Sequence, residues 1–156
     1  MENFNTSEKV QSLFNNAIPN EEWSAFFVGY KDMSSLSSNP AVLGGFVAGA
    51  VNAQEYPYDA MLVALGKNGI AYFPLQKTGI FKTRLKDFNI ETDKCEYIPF
   101  NLVDKIVVKK FPIGKKMKFR LRTTTGKDHR LFINGNEDLS YQEAGINELV
   151  SRFGKR

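Results

Sequence analysis

The side chains that could carry protons, electrons or metal are few in kind here. His129 is the single histidine and Cys95 the single cysteine. With one of each, neither a multi-cysteine zinc site nor an internal disulfide can be built. His129 stands between Asp128 and Arg130 at the start of a strand-like run, where a surface or edge residue is the expectation. A Cys95–His129 nucleophile–base pair would need the two side chains within hydrogen-bond reach, and nothing in their positions argues for that. Asp87, Glu91, Asp93 and Glu96 cluster, but without the ligand spacing of a calcium loop. Gly44-Gly45 is not part of a glycine-rich loop that follows a strand and opens a helix, so it is no nucleotide fingerprint. The expectation is a chain with no catalytic residue, no metal and no cofactor.

Charge is the more informative chemistry. The net charge of +4 conceals an asymmetry: residues 1–60 hold two Lys/Arg against seven Asp/Glu, and residues 102–132 hold ten against two. In Met117–Thr123, Phe119 and Leu121 alternate with Lys118, Arg120 and Arg122, which places three cations on one strand face. Lys82 and Arg84 alternate in the same way with Phe81, Thr83 and Leu85. These five, Lys82, Arg84, Lys118, Arg120 and Arg122, are the candidate anion-binding residues, suited to phosphates, anionic lipid or an acidic partner. The competing reading is a solvated face that balances the acidic part of the chain. Nucleic acid is disfavoured, because single-strand binding wants aromatics beside the cations and Phe119 lies on the opposite face from them.

The elements that must position these residues follow from pattern. Ser7–Ala17 reads as a helix capped by Thr6 or Ser7, with Val10, Leu13, Phe14 and Ala17 on one stripe. Trp23–Tyr30 has strand composition. Ala60–Leu75 reads as a hairpin about Gly66-Lys67-Asn68-Gly69, since Asn-Gly accepts the positive φ of a tight turn. Further strands are predicted over Ile80–Phe88, Cys95–Phe100, Lys105–Phe111, Met117–Thr123 and His129–Ile133. A last helix, capped by Asp138 or Ser140, runs to about Phe153 with Ile146, Leu149, Val150 and Phe153 on its core side. At 156 residues with 42% apolar residues, the length and composition fit one domain. The longest apolar run, Ala41–Val51, has 11 residues, short of the roughly 20 a spanning helix needs. The opening residues lack the basic and apolar regions of a secretory signal, and the expectation is a cytoplasmic protein.

Pro40–Asn52 stands apart. Asn39 and Pro40 suit a helix start, and Gly44/Ala48 and Gly45/Gly49 are each spaced by four, a small-residue stripe that lets another backbone come close. Three interior glycines weaken such a helix, so packing must offset the loss. The neighbour is either the chain's own sheet or a partner, and Gly44, Gly45, Ala48 and Gly49 are the candidate interface residues. The segment carries no Lys or Arg, which weakens a membrane role.

About seven strands followed by one amphipathic helix resembles the bacterial pleckstrin-homology-like (PH-like) domains, in which a C-terminal helix closes one end of a bent antiparallel barrel. The resemblance rests on the Met61–Phe73 hairpin, on Ile98-Pro99-Phe100 followed by Val103-Asp104-Lys105-Ile106, on the Lys118–Phe132 hairpin with Thr125-Gly126-Lys127-Asp128, and on the helix over Tyr141–Phe153. It covers residues 60–153, with a short N-terminal helix before the first strand and residues 40–52 as an insertion. It implies a binding or assembly module and no enzyme. The basic pattern of phosphoinositide-binding relatives is not matched, since Met61–Leu65 has no basic residue. The expected function is protein association, including self-association into an oligomer, through the Gly/Ala segment and the exposed sheet edges. Peripheral binding of anionic lipid or phosphate on the basic strand face is the alternative.

Overall fold

A computed structural model describes residues 4–32, 58–78, 85–111 and 114–154. The predicted Gly/Ala segment and the residues 79–84 lie outside them. Helix α1 (Ser7–Ala17) begins as its sequence indicates: Thr6 is extended, and its hydroxyl accepts from the Lys9 N–H at 3.3 Å. Val10 and Phe14 are fully buried and Leu13 partly so, whereas Ala17 at the end of the stripe is exposed. Eight strands follow: β1 (Trp23–Lys31), β2 (Ala60–Gly66), β3 (Gly69–Gln76), β4 (Asn89–Ile90), β5 (Glu96–Pro99), β6 (Val103–Lys110), β7 (Lys116–Thr123) and β8 (Asp128–Asn134). Helix α2 (Gln142–Phe153) comes last.

The strands form one antiparallel sheet in the order β4-β3-β2-β1-β8-β7-β6, with β5 also on β3. It does not close, and β6 pairs with β7 alone apart from a single bridge between Val108 and Gly154. The two halves of the sheet are buried differently. In β2, Met61, Val63 and Leu65 join one apolar cluster with the inner faces of β7, β8 and α2. Ala60, Leu62 and Ala64 join a second, with Phe4, Val10, Phe14, Leu85 and Leu139. Both faces of β2 and β3 are therefore covered, which is why their sequences read as unbroken apolar runs. Strands β7 and β8 alternate buried with half-buried or exposed residues, since only their inner face is covered.

Strand β1 joins the halves. Only Tyr30 and Lys31 pair with β8, opposite Phe132 and Leu131. Elsewhere α2 wedges into the splay. The Gln142 amide accepts from the Val28 N–H at 2.9 Å and donates to the Val28 carbonyl at 3.0 Å, replacing a missing ladder partner. Gly145 has no room for a side chain, because a Cβ would stand 1.7 Å from the Phe26 carbonyl oxygen.

Several expectations are corrected. The strand predicted over Ile80–Phe88 is, in its described part, a single 3-10 turn at Leu85–Asp87. Leu85 and Phe88 are both buried three residues apart, and a 3-10 turn sets i and i+3 on one side where a strand would not. Helix α2 starts at Gln142, with Tyr141 at the cap position and no side-chain capping bond, so Asp138 and Ser140 precede it. The β2–β3 hairpin is where Asn68-Gly69 placed it, but neither residue has positive φ; among the described residues only Gly114 and Gly126 do.

Candidate functional site

Two groups of polar side chains stand out once the strands are in place. The first is the outer face of β6, β7 and β8. Register sets directly opposite residues on one face, so Lys118 lies opposite Phe132 and Lys109, Arg120 opposite Arg130 and Val107, and Arg122 opposite Lys105 and Asp128. Lys118, Arg120 and Arg122 thus share the face predicted for them, joined by Lys105, Lys109, Lys116 and Arg130. Lys82 and Arg84, the other two candidates, lie outside the described residues, as do Gly44, Gly45, Ala48 and Gly49.

Carboxylates are interleaved among these cations. Arg120 donates two hydrogen bonds to Asp128, from Nε at 3.0 Å and from Nη2 at 2.9 Å, and Arg130 reaches the same carboxylate at 3.3 Å. Burial works against the charge on Asp128, but the Arg120 hydrogen bonds and the two guanidinium charges hold its carboxyl below the usual range. Lys118–Asp32 and Arg122–Asp104 are looser, at 3.7 Å each. Lys105, Lys109 and Lys116 are exposed and make no ion pair with a described residue. The Phe111 and Phe132 rings meet on this same side with centroids 5.6 Å apart. On the inner side, between the start of β7 and α2, lies a cleft of about 250 Å³ with Lys110, Lys115, Lys116 and Glu143 around Met117 and Ile146.

The second group is internal. His129, expected at the surface, is 1% exposed. It occupies an inward position of β8, and its neighbours Asp128 and Arg130 take the outward ones. Its Nε2 is 3.3 Å from the Tyr72 hydroxyl and its Nδ1 3.3 Å from the Tyr58 hydroxyl. The Tyr72 hydroxyl donates its proton to Glu96 at 2.7 Å, so its oxygen can only accept from His129. That places the ring proton on Nε2 and leaves Nδ1 to accept from Tyr58. Lys127 completes the chain with a 3.0 Å bond to the other Glu96 oxygen. Burial pushes the His129 imidazole down to about 4, so it is neutral at pH 7. The chain links the paired strands β3 and β5 to β8 and the turn before it, with which they share no backbone ladder. Its visible work is to close by side chains a gap that the sheet leaves open.

His129 is therefore engaged by two tyrosines and not by Cys95. The Cys95 thiol is pushed up to about 12, by burial first and by the Glu96 charge second, and is not a thiolate near neutrality. Among the described residues no group of three His, Cys, Asp or Glu could hold a metal ion. No helix among them is long and apolar enough to cross a membrane.

Sequence reasoning missed Glu21, Gln142 and Phe132. Phe132 was recoverable: the Thr125-Gly126 turn fixes the β7–β8 register, and the register puts Phe132 opposite Lys118. Glu21 and Gln142 act on backbone groups distant in sequence and leave no local signal. Comparison with known proteins finds no match to any family model, curated protein or solved structure.

Proposed function

We propose that the chain is a non-enzymatic, cytoplasmic PH-like binding module that takes phosphate-bearing anionic partners on the outer face of β6, β7 and β8. The observation behind this reading is coverage. Both faces of the β2–β3 half are buried, whereas the outward residues of the β7–β8 half are half-buried or exposed. That face presents seven cations, Lys105, Lys109, Lys116, Lys118, Arg120, Arg122 and Arg130, beside three carboxylates, Asp32, Asp104 and Asp128. An excess of like charge on a flat surface raises the local concentration of anions. The PH-like reading is supported by an antiparallel meander that ends in a helix seated against β1. Co-sedimentation with vesicles rich in phosphatidylserine tests it. Binding at low salt that collapses at high salt is expected, because exposed charges are screened within about 10 Å at 0.1 M. Binding indifferent to salt, or none to these vesicles or to a soluble polyanion, would overturn it.

A second reading, protein association including self-association, is favoured by the open edge of β6. An edge strand offers unpaired N–H and C=O groups to an added strand. Lys105, Lys109 and Lys110 line that edge, so two copies repel there and an acidic strand fits better. Light scattering over a range of concentrations separates the cases: a strict monomer at high micromolar concentration removes self-association.

A further inference from the structure

Electrostatics alone does not account for the aromatic pair on the basic face. Phe132 is an outward residue of β8, opposite Lys118 on β7 and Tyr30 on β1, and it is only half-buried. Phe111, at the end of β6, meets it with ring planes inclined at 48°. Both rings are half-buried, so part of each remains open to solvent or to a ligand. Lys109, Lys116 and Lys118 flank them, and a ligand that suits rings and cations together carries negative charge beside flat apolar surface.

Resting on the anion-binding reading above, we infer that the ligand of this face is single-stranded nucleic acid, its phosphates on Lys109, Lys116 and Lys118 and its bases stacked on Phe132 and Phe111. Three features select this occupant. The rings meet on the sheet face that carries the cations, an arrangement that can stack bases while basic side chains track the backbone. Insertion into a lipid surface buries an apolar face in the headgroup and acyl boundary, and two half-buried rings on a sheet offer little to insert. A duplex hides its base faces and offers nothing for the rings to stack on. From Lys116 to Arg122 the strand runs about 20 Å, long enough for several nucleotides. The Arg120–Asp128 pair serves as a fixed spacer, since both of its hydrogen bonds are short.

The test is fluorescence anisotropy of the full chain with a labelled twelve-nucleotide oligothymidylate, the matching oligouridylate, and a DNA duplex of equal length. Both single strands should bind, more tightly than the duplex, with affinity falling steeply between about 50 and 200 mM salt. Phe132→Leu, which keeps apolar volume but removes the π-face, should weaken single-strand binding about tenfold while leaving the salt slope unchanged. Lys109→Glu, at an exposed position, should instead reduce that slope. If Phe132→Leu binds as the parent does, or if duplex and single strands bind alike, the face reads charge only and this inference is overturned while anion binding stands. Vesicle binding without oligonucleotide binding overturns it in the same way. If neither vesicles, heparin nor any oligonucleotide binds, both readings fail. A melting curve of each variant shows that a loss of binding is not a loss of fold.

Discussion

His129 shows how far one residue's chemistry depends on where its strand alternation puts it. Its ordinary pKa is 6.5, and burial moves it to about 4 in the folded chain. The unfolded chain therefore takes up a proton near pH 6.5 that the folded chain refuses. Stability is level above pH 6.5 and falls as the pH drops toward 4, by about 2 kcal/mol between pH 6.5 and 5. Glu96 and Asp128 attract a proton to the ring, while Lys127 and Lys31 oppose one. Glu21, Glu96 and Asp128 resist protonation: burial raises them, yet their hydrogen-bond donors leave them below their ordinary values, so their contributions are lost only at lower pH. Glu137, raised by burial, works in the opposite sense. Urea unfolding at pH 7 and pH 5 spans the window in which the imidazole matters, and His129→Gln should flatten the difference. A variant as pH-sensitive as the parent would mean that another group titrates there.

At the scale of elements, the parts with water on one side were legible and the parts touched on every side were not. The stripe of α1, the core side of α2 and the alternation of β7 each record a buried and a wet face. The β2–β3 hairpin was located by Asn68-Gly69, but its tip is held by other means. The Glu21 carboxylate accepts the Asn68 N–H at 3.1 Å and the Tyr97 hydroxyl at 2.6 Å. Gly69 is needed for closeness, since a Cβ would lie 2.6 Å from the Tyr97 ring. Glu21→Ala should leave these donors without their acceptor and lower stability by about 2 kcal/mol in a chemical-denaturation series, with Glu21→Gln recovering part of it. The seat of α2 was illegible for a similar reason: an interior helical glycine and a glutamine look unfavourable until β1 is placed beside them. Gly145→Ala must push the helix off the Phe26 carbonyl, at a cost of about 2 kcal/mol or more. Gln142→Leu strands the Val28 N–H and carbonyl for a similar loss. Unchanged melting temperatures for both would show that α2 does not rest on β1.

Across the whole molecule, coverage and charge run together. One half of the sheet lies between α1 and the inner core, and the other half carries a basic face whose residues are half-buried or exposed. The cations on that face are of two kinds, which permits binding to be separated from stability. Arg120 is bonded twice to a partly buried Asp128 and belongs to the fold as much as to the surface. Lys105 and Lys109 are exposed on β6 and make no ion pair with a described residue. Arg120→Ala should lower stability by about 1 kcal/mol, a modest figure because the pair is partly solvated and Arg130 still reaches Asp128. A Lys105→Glu/Lys109→Glu double variant should melt as the parent does, because neither lysine makes an ion pair with a described residue. It should nevertheless lose most of its association with anionic vesicles and nearly all of the salt dependence, since the excess charge that attracts the ligand has been reversed at two positions. Melting curves and vesicle co-sedimentation on the same preparations decide the matter. A double variant that melts normally and still binds with the parent's salt dependence would place the anion site elsewhere on the chain.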